Sequence, residues 1–198
     1  MRTLLNLFSI LLISLISSYP QNALPENKLF RSAQHDFKVT VVVEDLDHPW
    51  GMAFLPNGNL LITERSGNLR LVKDGKLAPK TVAGLPNIRQ VGQGGLLGIA
   101  LHPNFSQNRW VYLSYSGEHQ GRYGTEVLRG RFDGMRIRSV ETIFKAIPKV
   151  RGGRHFGSRL LFASDGTLFI SLGDRGSSPA NGRSHPSQQL GNHLGSLI

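Results

Sequence analysis

A ten-residue pattern of this chain occurs twice. Phe54 to Thr63, FLPNGNLLIT, returns as Phe162 to Ser171, FASDGTLFIS, with the aromatic start, the Gly turn and the apolar run in the same places. A looser copy lies between them: Leu101-His-Pro-Asn-Phe105 and, after a short insertion, Trp110-Val-Tyr-Leu-Ser114. The anchors Phe54, Leu101 and Phe162 are 47 and 61 residues apart. Each copy reads as a strand, a tight turn and a second strand, because short apolar runs bounded by Asn-Gly or Asp-Gly are hairpin signals. Antiparallel strands recurring at about 50 residues fit the four-stranded blade of a propeller. At about 50 to 60 residues per blade the chain holds about three blades, whereas a closed ring takes roughly four to eight. Ser196-Leu-Ile198 reads as the start of a further strand, so the expectation is the front part of a longer propeller.

The rest of the chain agrees with an all-β class. Val39–Val43, Leu60–Thr63, Trp110–Tyr115, Thr125–Phe132 and Leu168–Leu172 are strand candidates, bounded by Asn57-Gly58, Asp74-Gly75, Asp133-Gly134 and Asp165-Gly166. No stretch keeps a helical apolar period over three turns, and 23 Gly with 10 Pro recur too often for long helices. With no cysteine, a disulfide scaffold, a Cys-ligated zinc or iron–sulfur site and a cysteine nucleophile are all excluded. The net charge is +10, but the basic residues are spread along the chain. The densest stretch, Arg122 to Arg138, is broken by Glu126, Val127, Leu128, Phe132 and Asp133, and reads as a solvated basic surface. No nucleic-acid-binding motif is present, so no nucleic-acid partner is expected.

The N-terminus has the form of a secretory signal. Arg2 is followed by an apolar run, Leu4 to Ile16, interrupted by Asn6, Ser9 and Ser14. As a helix of about 20 Å it falls short of the roughly 30 Å hydrocarbon core, so a cleaved signal is favoured over a membrane span. The expected organisation is a signal peptide over 1–22, a linker over 23–37 and a partial propeller domain over 38–198.

Three loops concentrate glycine and polar residues: Val91 to Gly98, Gly152 to Arg159 and Gly173 to Gly176. The first is not a dinucleotide fingerprint, since its spacing is G-x-G-x-x-x-G and no helix follows; a blade-connecting turn explains it equally well. His155 stands at the entrance of a strand, where an imidazole could serve as a general base. Asp174 follows the next strand and could accept a ring N–H from it. Each has a plainer reading, a structural His and a turn-capping Asp. Loops of successive propeller strands converge on one face, however, and these two residues flank one strand pair. His185 and His193, eight apart without a third ligand, do not make a metal site. Trp50 and Trp110 read as blade core or rim.

Six segments, taken in order over about residues 38–198, carry a resemblance. They are His48-Pro-Trp-Gly-Met-Ala-Phe54, Thr63-Glu-Arg65, Gly92-Gln-Gly-Gly-Leu-Leu-Gly-Ile-Ala-Leu-His-Pro103, His155-Phe-Gly-Ser-Arg-Leu160, Gly173-Asp-Arg-Gly176 and His193-Leu-Gly195. They resemble the soluble quinoprotein glucose dehydrogenase family, and more closely its bacterial aldose sugar (glucose/sorbosone) dehydrogenases, which use pyrroloquinoline quinone (PQQ). The resemblance implies a six-bladed propeller with PQQ over its channel. It also implies oxidation of the C1 hydroxyl of an aldose sugar to a lactone, hydride transfer to PQQ and an external electron acceptor. It places His155 at the catalytic base, Asp174 at the carboxylate paired with it and Gln93 beside quinone and substrate. Where the glucose-oxidising branch has an Asp before the base, this chain has Arg154, and where the family has a Lys after the His-Leu-Gly segment it has Ser196. Calcium and much of the PQQ site are expected from later blades. No metal ligand is therefore assigned here, the chain alone is expected to be inactive, and its compartment is expected to be the periplasm. Two other readings stay open. One is a calcium-dependent lactonase, for which Glu64, Asn87, Asp174 and Asn192 are available; the other is a non-catalytic secreted propeller that binds sugar or protein.

Overall fold

The computed structural model describes residues 29–176 and 184–198, so the expected signal over 1–22 lies outside the described residues. The chain divides into two compact units, 1–41 and 42–198. In the first, strand β1 (Leu29–Phe30) pairs antiparallel with β2 (Phe37–Lys38), and the rings of Phe30 and Phe37 stack 5.3 Å apart. The residues expected as a linker thus carry a short hairpin.

The second unit is built of antiparallel sheets in sequence order. β3 (Pro49–Phe54), β4 (Leu60–Glu64), β5 (Leu69–Lys73) and β6 (Lys76–Leu77) form one four-stranded sheet. β7 (Leu96–Leu101), β8 (Trp110–His119), β9 (Arg122–Phe132) and β10 (Ile137–Lys145) form the next. β11 (Gly157–Phe162) pairs with β12 (Leu168–Leu172), and Ile170 and Ile198 exchange both backbone hydrogen bonds, at 2.7 and 3.0 Å, beside the other edge of β12. Among the described residues the helical segments are one turn, α1 (Phe105–Asn108), and a 3-10 turn at Pro186–Gln188. The fold is therefore all-β: two four-stranded propeller blades and part of a third.

The repeat read from the sequence is a repeat in space. Leu55 N–H donates to Asn59 and Gly58 N–H to Leu55, while Ala163 N–H donates to Thr167 and Gly166 N–H to Ala163. Gly58 and Gly166 sit at φ 83° and 89°, a region open to glycine at little cost. One expected strand is absent. Val39–Val43 forms no ladder: Val41 and Val42 are exposed, and Val43 packs with Leu46 against Leu60, Ile62 and Val72. Its β-branched residues suit a strand, but they join no ladder among the described residues.

Two apolar layers hold the blades together. Leu61, Leu69, Leu96, Ile99, Leu113 and Leu128 fill the space between the first and second sheets; Tyr112, Val127, Leu160, Ile170 and Leu172 fill that between the second and third. Each innermost strand carries a one-residue bulge, between Pro49 and Met52, Leu96 and Ile99, and Gly157 and Leu160. A bulge takes an N–H out of the ladder, and a hydroxyl on the neighbouring strand meets it each time. Thr63 Oγ1 accepts from Gly51 N–H (2.9 Å) and donates to Leu97 O of the next sheet (2.5 Å). Ser114 Oγ accepts from Gly98 N–H (2.8 Å) and donates to Ser158 O of the next sheet (2.7 Å). Ser171 Oγ accepts from Arg159 N–H (2.9 Å). The hydroxyl that ends each copy of the repeat is thus a clamp at the bulge, and in the first two sheets a clamp between blades.

Candidate active site

The three glycine-rich loops meet at one end of the sheets: Val91–Gly95 ahead of β7, Val150–Phe156 ahead of β11, and Gly173–Gly176 behind β12. Gln93 N–H donates to Gly153 O (2.7 Å), and His155 N–H donates to Gln93 Oε1 (2.9 Å). The two loops run so close that a Cβ on Gly92 would lie 2.5 Å from Gly153 O, and one on Gly153 2.5 Å from Val91 O. These glycines are explained by backbone meeting backbone.

The His155 loop is held from three sides. Val150 and Tyr123 exchange backbone hydrogen bonds, and Thr125 Oγ1 on β9 donates to Phe156 O (2.6 Å). Gly173 and Arg175 donate their N–H groups to Phe156 O and His155 O, both at 3.2 Å, so the β11–β12 pairing runs on past the sheet. The Arg175 guanidinium lies over the Phe156 ring, 3.5 Å from its centroid, and donates from Nη2 to Gly152 O (2.7 Å). Its Nε and Nη1 are buried without a partner, and burial brings its pKa down to about 10, so it is still a cation at neutral pH.

His155 and Asp174 meet, with Nδ1 2.7 Å from Oδ1. The same oxygen accepts from Gly176 N–H (2.9 Å), and this bond, followed by that to His155, holds Asp174 below the usual carboxylate range. An ionised carboxylate only accepts, so the proton between them belongs to His155 Nδ1 and the lone pair to Nε2. The His155 side chain is 52% exposed, which leaves that lone pair open to a substrate. The structure therefore brings together all three residues singled out in the sequence, Gln93, His155 and Asp174.

It also adds one. His185 Nε2 lies 3.6 Å from Asp174 Oδ2. Nothing in the sequence pointed to it, because its return to Asp174 depends on how 184–195 folds back across the end of the third sheet. His193 is structural: its Nδ1 accepts from Ile147 N–H (3.1 Å) and its ring lies on Phe144. Glu64 pairs with Arg70 at 3.0 Å, and Asn192 bonds Pro186 O and Leu194 N–H, so neither converges with Asp174 on a metal. Among the described residues no group of three or more His, Asp or Glu is placed to hold a metal ion. Trp110 is a rim residue between Arg129 and Arg131, whose guanidiniums lie 4.8 and 5.0 Å from its ring. Trp50 is exposed on β3 beside a cavity of about 370 Å³ that Met52, Ile99 and Arg159 also line.

A stack of propeller blades with an oriented histidine–carboxylate pair among its end loops defines a class of protein. The family model for Glucose / Sorbosone dehydrogenase matches residues 46–198, and the chain belongs to that family. It is 44% identical over 146 residues to the aldose sugar dehydrogenase of Escherichia coli, a match covering 71% of this chain and 39% of the relative. It is 42% identical over 194 residues to an uncharacterized protein of Synechocystis, covering 92% and 46%. Among solved structures, the PQQ-bound form of aldose sugar dehydrogenase from Streptomyces coelicolor superposes with a TM-score of 0.68 at 26% identity, over 87% of this chain and 47% of that one. The chain thus spans less than half the length of these relatives.

Proposed function

We propose that this chain supplies the base-bearing part of a PQQ-dependent dehydrogenase that oxidises the C1 hydroxyl of an aldose sugar to a lactone. The observation that carries the reading is His155, whose exposed ring has its Nδ1–H committed to Asp174 and whose backbone N–H is held by Gln93 Oε1. His155 Nε2 takes the proton of the C1 hydroxyl. PQQ, when bound, supplies the hydride acceptor. Asp174 steadies the imidazolium that forms and holds the ring in its working tautomer.

The residues present suit one flank of a planar tricarboxylate. Gln93 Oε1 is occupied by His155 N–H, so its amide offers N–H donors, and the neighbouring Arg154 guanidinium is exposed. Amide and guanidinium groups are donors that carboxylate and quinone oxygens accept. The described residues do not suit calcium, and no step here is assigned to it. We infer that calcium, the remaining PQQ contacts and the contact to an external electron acceptor come from parts of the relatives that this chain does not span, and that the chain alone does not turn over. Arg154, in place of an Asp, argues for an aldose other than glucose. The N-terminal signal pattern supports export to the periplasm. Among the described residues no helix is long and apolar enough to cross a membrane.

The test is His155→Ala in the protein expressed at its relatives' full length. General-base catalysis is typically worth about 10² to 10⁴ in rate. Sugar oxidation should fall by that factor, PQQ binding should be nearly unchanged, and the acid limb of the pH–rate profile should vanish. Near-full turnover at saturating PQQ would remove His155 from the reaction and favour a propeller that only binds.

A further inference from the structure

Base and carboxylate sit on different loops, so their pairing depends on what ties one loop to the other. The backbone supplies part of the tie. Gly173 N–H donates to Phe156 O and Arg175 N–H to His155 O, and a Cβ on Gly173 would lie 2.0 Å from His155 O. Both bonds are 3.2 Å long, the far end of the N–H···O range. The Arg175 side chain adds a shorter one. Its Nη2 donates to Gly152 O at 2.7 Å, the length of a charge-assisted bond, and its guanidinium lies over the Phe156 ring, 3.5 Å from the centroid. That ring packs on Gly94, next to Gln93: a Cβ there would lie 2.5 Å from Phe156 Cε2. One residue of the Asp174 turn thus touches the His155 loop at Gly152, His155 and Phe156, and through Phe156 it reaches the Gln93 loop.

Stability alone does not account for a guanidinium at this place. Arg175 is 6% exposed, its Nε and Nη1 are buried without a partner, and burial brings its pKa down to about 10. Buried donors left unpaired are a cost, and a methionine would cover the same ring without it. What the guanidinium adds is a flat face for Phe156 and an edge donor for Gly152 at once. The loop it grips is strained: His155 sits at φ 46°, in the left-handed region, where a residue with a side chain stays only when its surroundings hold it. We propose that Arg175 is a positioning residue for the base: it clamps the His155 loop to the turn that carries Asp174, so that the ring keeps its Nδ1–H on the carboxylate. The proposal rests on the reading of His155 as the base and adds a residue to it. Arg175 acts through the loop backbone and the Phe156 ring. With the clamp removed, the loop relaxes from its strained shape and the Nδ1–H bond, 2.7 Å long in the closed pair, opens more often.

The experiment compares solvent exchange of the His155 Nδ1–H proton in the 198-residue chain and in its Arg175→Met variant. The amide of Leu113, fully buried in β8, serves as the reference for global opening. Exchange at Nδ1–H should quicken by about threefold to tenfold, the factor one net hydrogen bond is worth in a local opening. Exchange at Leu113 should not quicken, because the variant removes two buried unpaired donors. An unchanged Nδ1–H rate would overturn the proposal. So would equal quickening at both sites, which is the mark of a residue that only stabilises the fold. A measurement on the unsubstituted chain guards against a variant that fails to fold. Donation to Gly152 O slows rotation about Cζ–Nη2, so the Nη2 protons should give separate signals, and a single averaged signal would overturn the clamp. At the relatives' full length, Arg175→Met should lower kcat by about the same threefold to tenfold, with KM for sugar and PQQ binding unchanged. An unchanged kcat, where His155→Ala is inactive, would also overturn it. The outcomes separate from those of the functional reading. Full turnover in His155→Ala sinks the dehydrogenase role and leaves the clamp, read by exchange, intact, whereas an unmoved Nδ1–H sinks the clamp and leaves the base in place.

Discussion

The first and third blades each carry a histidine–carboxylate pair at the mouth of the inner strand, and the two corners are built differently. His48 precedes β3 with φ 50°, and its Nδ1 lies 2.6 Å from Asp47 Oδ1; His155 precedes β11 with φ 46°, and its Nδ1 lies 2.7 Å from Asp174 Oδ1. The difference lies in the returning strand. By sheet register Glu64 opposes Pro49 as Leu172 opposes Gly157, so Glu64 occupies the station of Leu172. There its side chain is 1% exposed, paired with Arg70 and bonded to Asp47 N–H. In the first blade the pairing stops at Arg65 N–H to His48 O, while in the third it continues through Gly173 and Arg175 to Phe156 and His155. That extension carries a carboxylate beyond the sheet, where a neighbouring loop supplies Gln93. His48 is left with its exposed sequence neighbour. Two residues of added pairing, more than the pair itself, make the third corner a site.

The comparison breaks if the two carboxylates are interchangeable. Removing one partner of a buried ion pair costs about 3 to 5 kcal/mol, because the other charge is left desolvated. Glu64→Ala should therefore lower the unfolding free energy of the chain by about that much, read by denaturant melts, since it strands the largely buried Arg70. Asp174→Asn should melt within about 1 kcal/mol of the parent, as expected for a partly exposed group. It should still cut turnover of the full-length protein, by less than His155→Ala does. Acid adds a signed check. The Asp174 pKa is depressed by folding, so its contribution is complete above the ordinary aspartate value and is lost as pH falls through the lower folded one. In Asp174→Asn that part of the acid limb of stability should disappear. If instead Asp174→Asn unfolds the protein and Glu64→Ala does not, the structural and catalytic corners have been assigned the wrong way round.

The clamps between blades sharpen the same contrast, because they mark what the blades share. A buried hydroxyl satisfying one sheet and donating to the next is worth about 1 to 3 kcal/mol when its loss leaves partners unpaired. Thr63→Val and Ser114→Ala should each cost that much, and the double variant should show coupling, because the two hydroxyls bond the C=O and the N–H of one peptide group, Leu97–Gly98. Equal melting for parent and double variant would show that the hydroxyls only fill space.

Much of this was legible in the chain because it repeats. The strand–turn–strand copies, their Gly58 and Gly166 turns and the Thr63, Ser114 and Ser171 endings are local, and local pattern survives in sequence. The nearness of Gln93, His155 and Asp174 was legible from propeller topology with the resemblance. What failed to show depends on long-range docking. Val39–Val43 has strand composition but joins no ladder among the described residues. Gly92 and Gly153 are needed because two loops, 61 residues apart, touch through their backbones. His185 reaches Asp174 only through the fold of 184–195. Composition records propensity, and none of these three facts is a propensity.

The smallest expected effect is a gain, at the one bulge where the third blade departs from the others. Ser158 is fully buried with φ 88°, and its Oγ has no partner. Its counterparts Trp50 and Leu97 lack the positive φ. The Ser158 carbonyl is the acceptor of the Ser114 clamp, so its backbone is fixed from outside the strand. A side chain in that region is strained, and a buried unpaired hydroxyl is a second cost. Ser158→Gly removes both and keeps the carbonyl, at the expense of a freer unfolded chain and a small void. The balance should favour the variant by about 0.5 to 1 kcal/mol. Because Ser158 lies three residues from His155 in chain order, relaxation there also tests the site. If the bulge strain is local, turnover of the full-length protein should stay within about twofold of the parent, a surface-scale change of a few tenths of a kcal/mol. A stabilised variant that loses turnover tenfold would mean that strain at the bulge is transmitted to the base, and that the third corner is set by its inner strand as much as by its extended return.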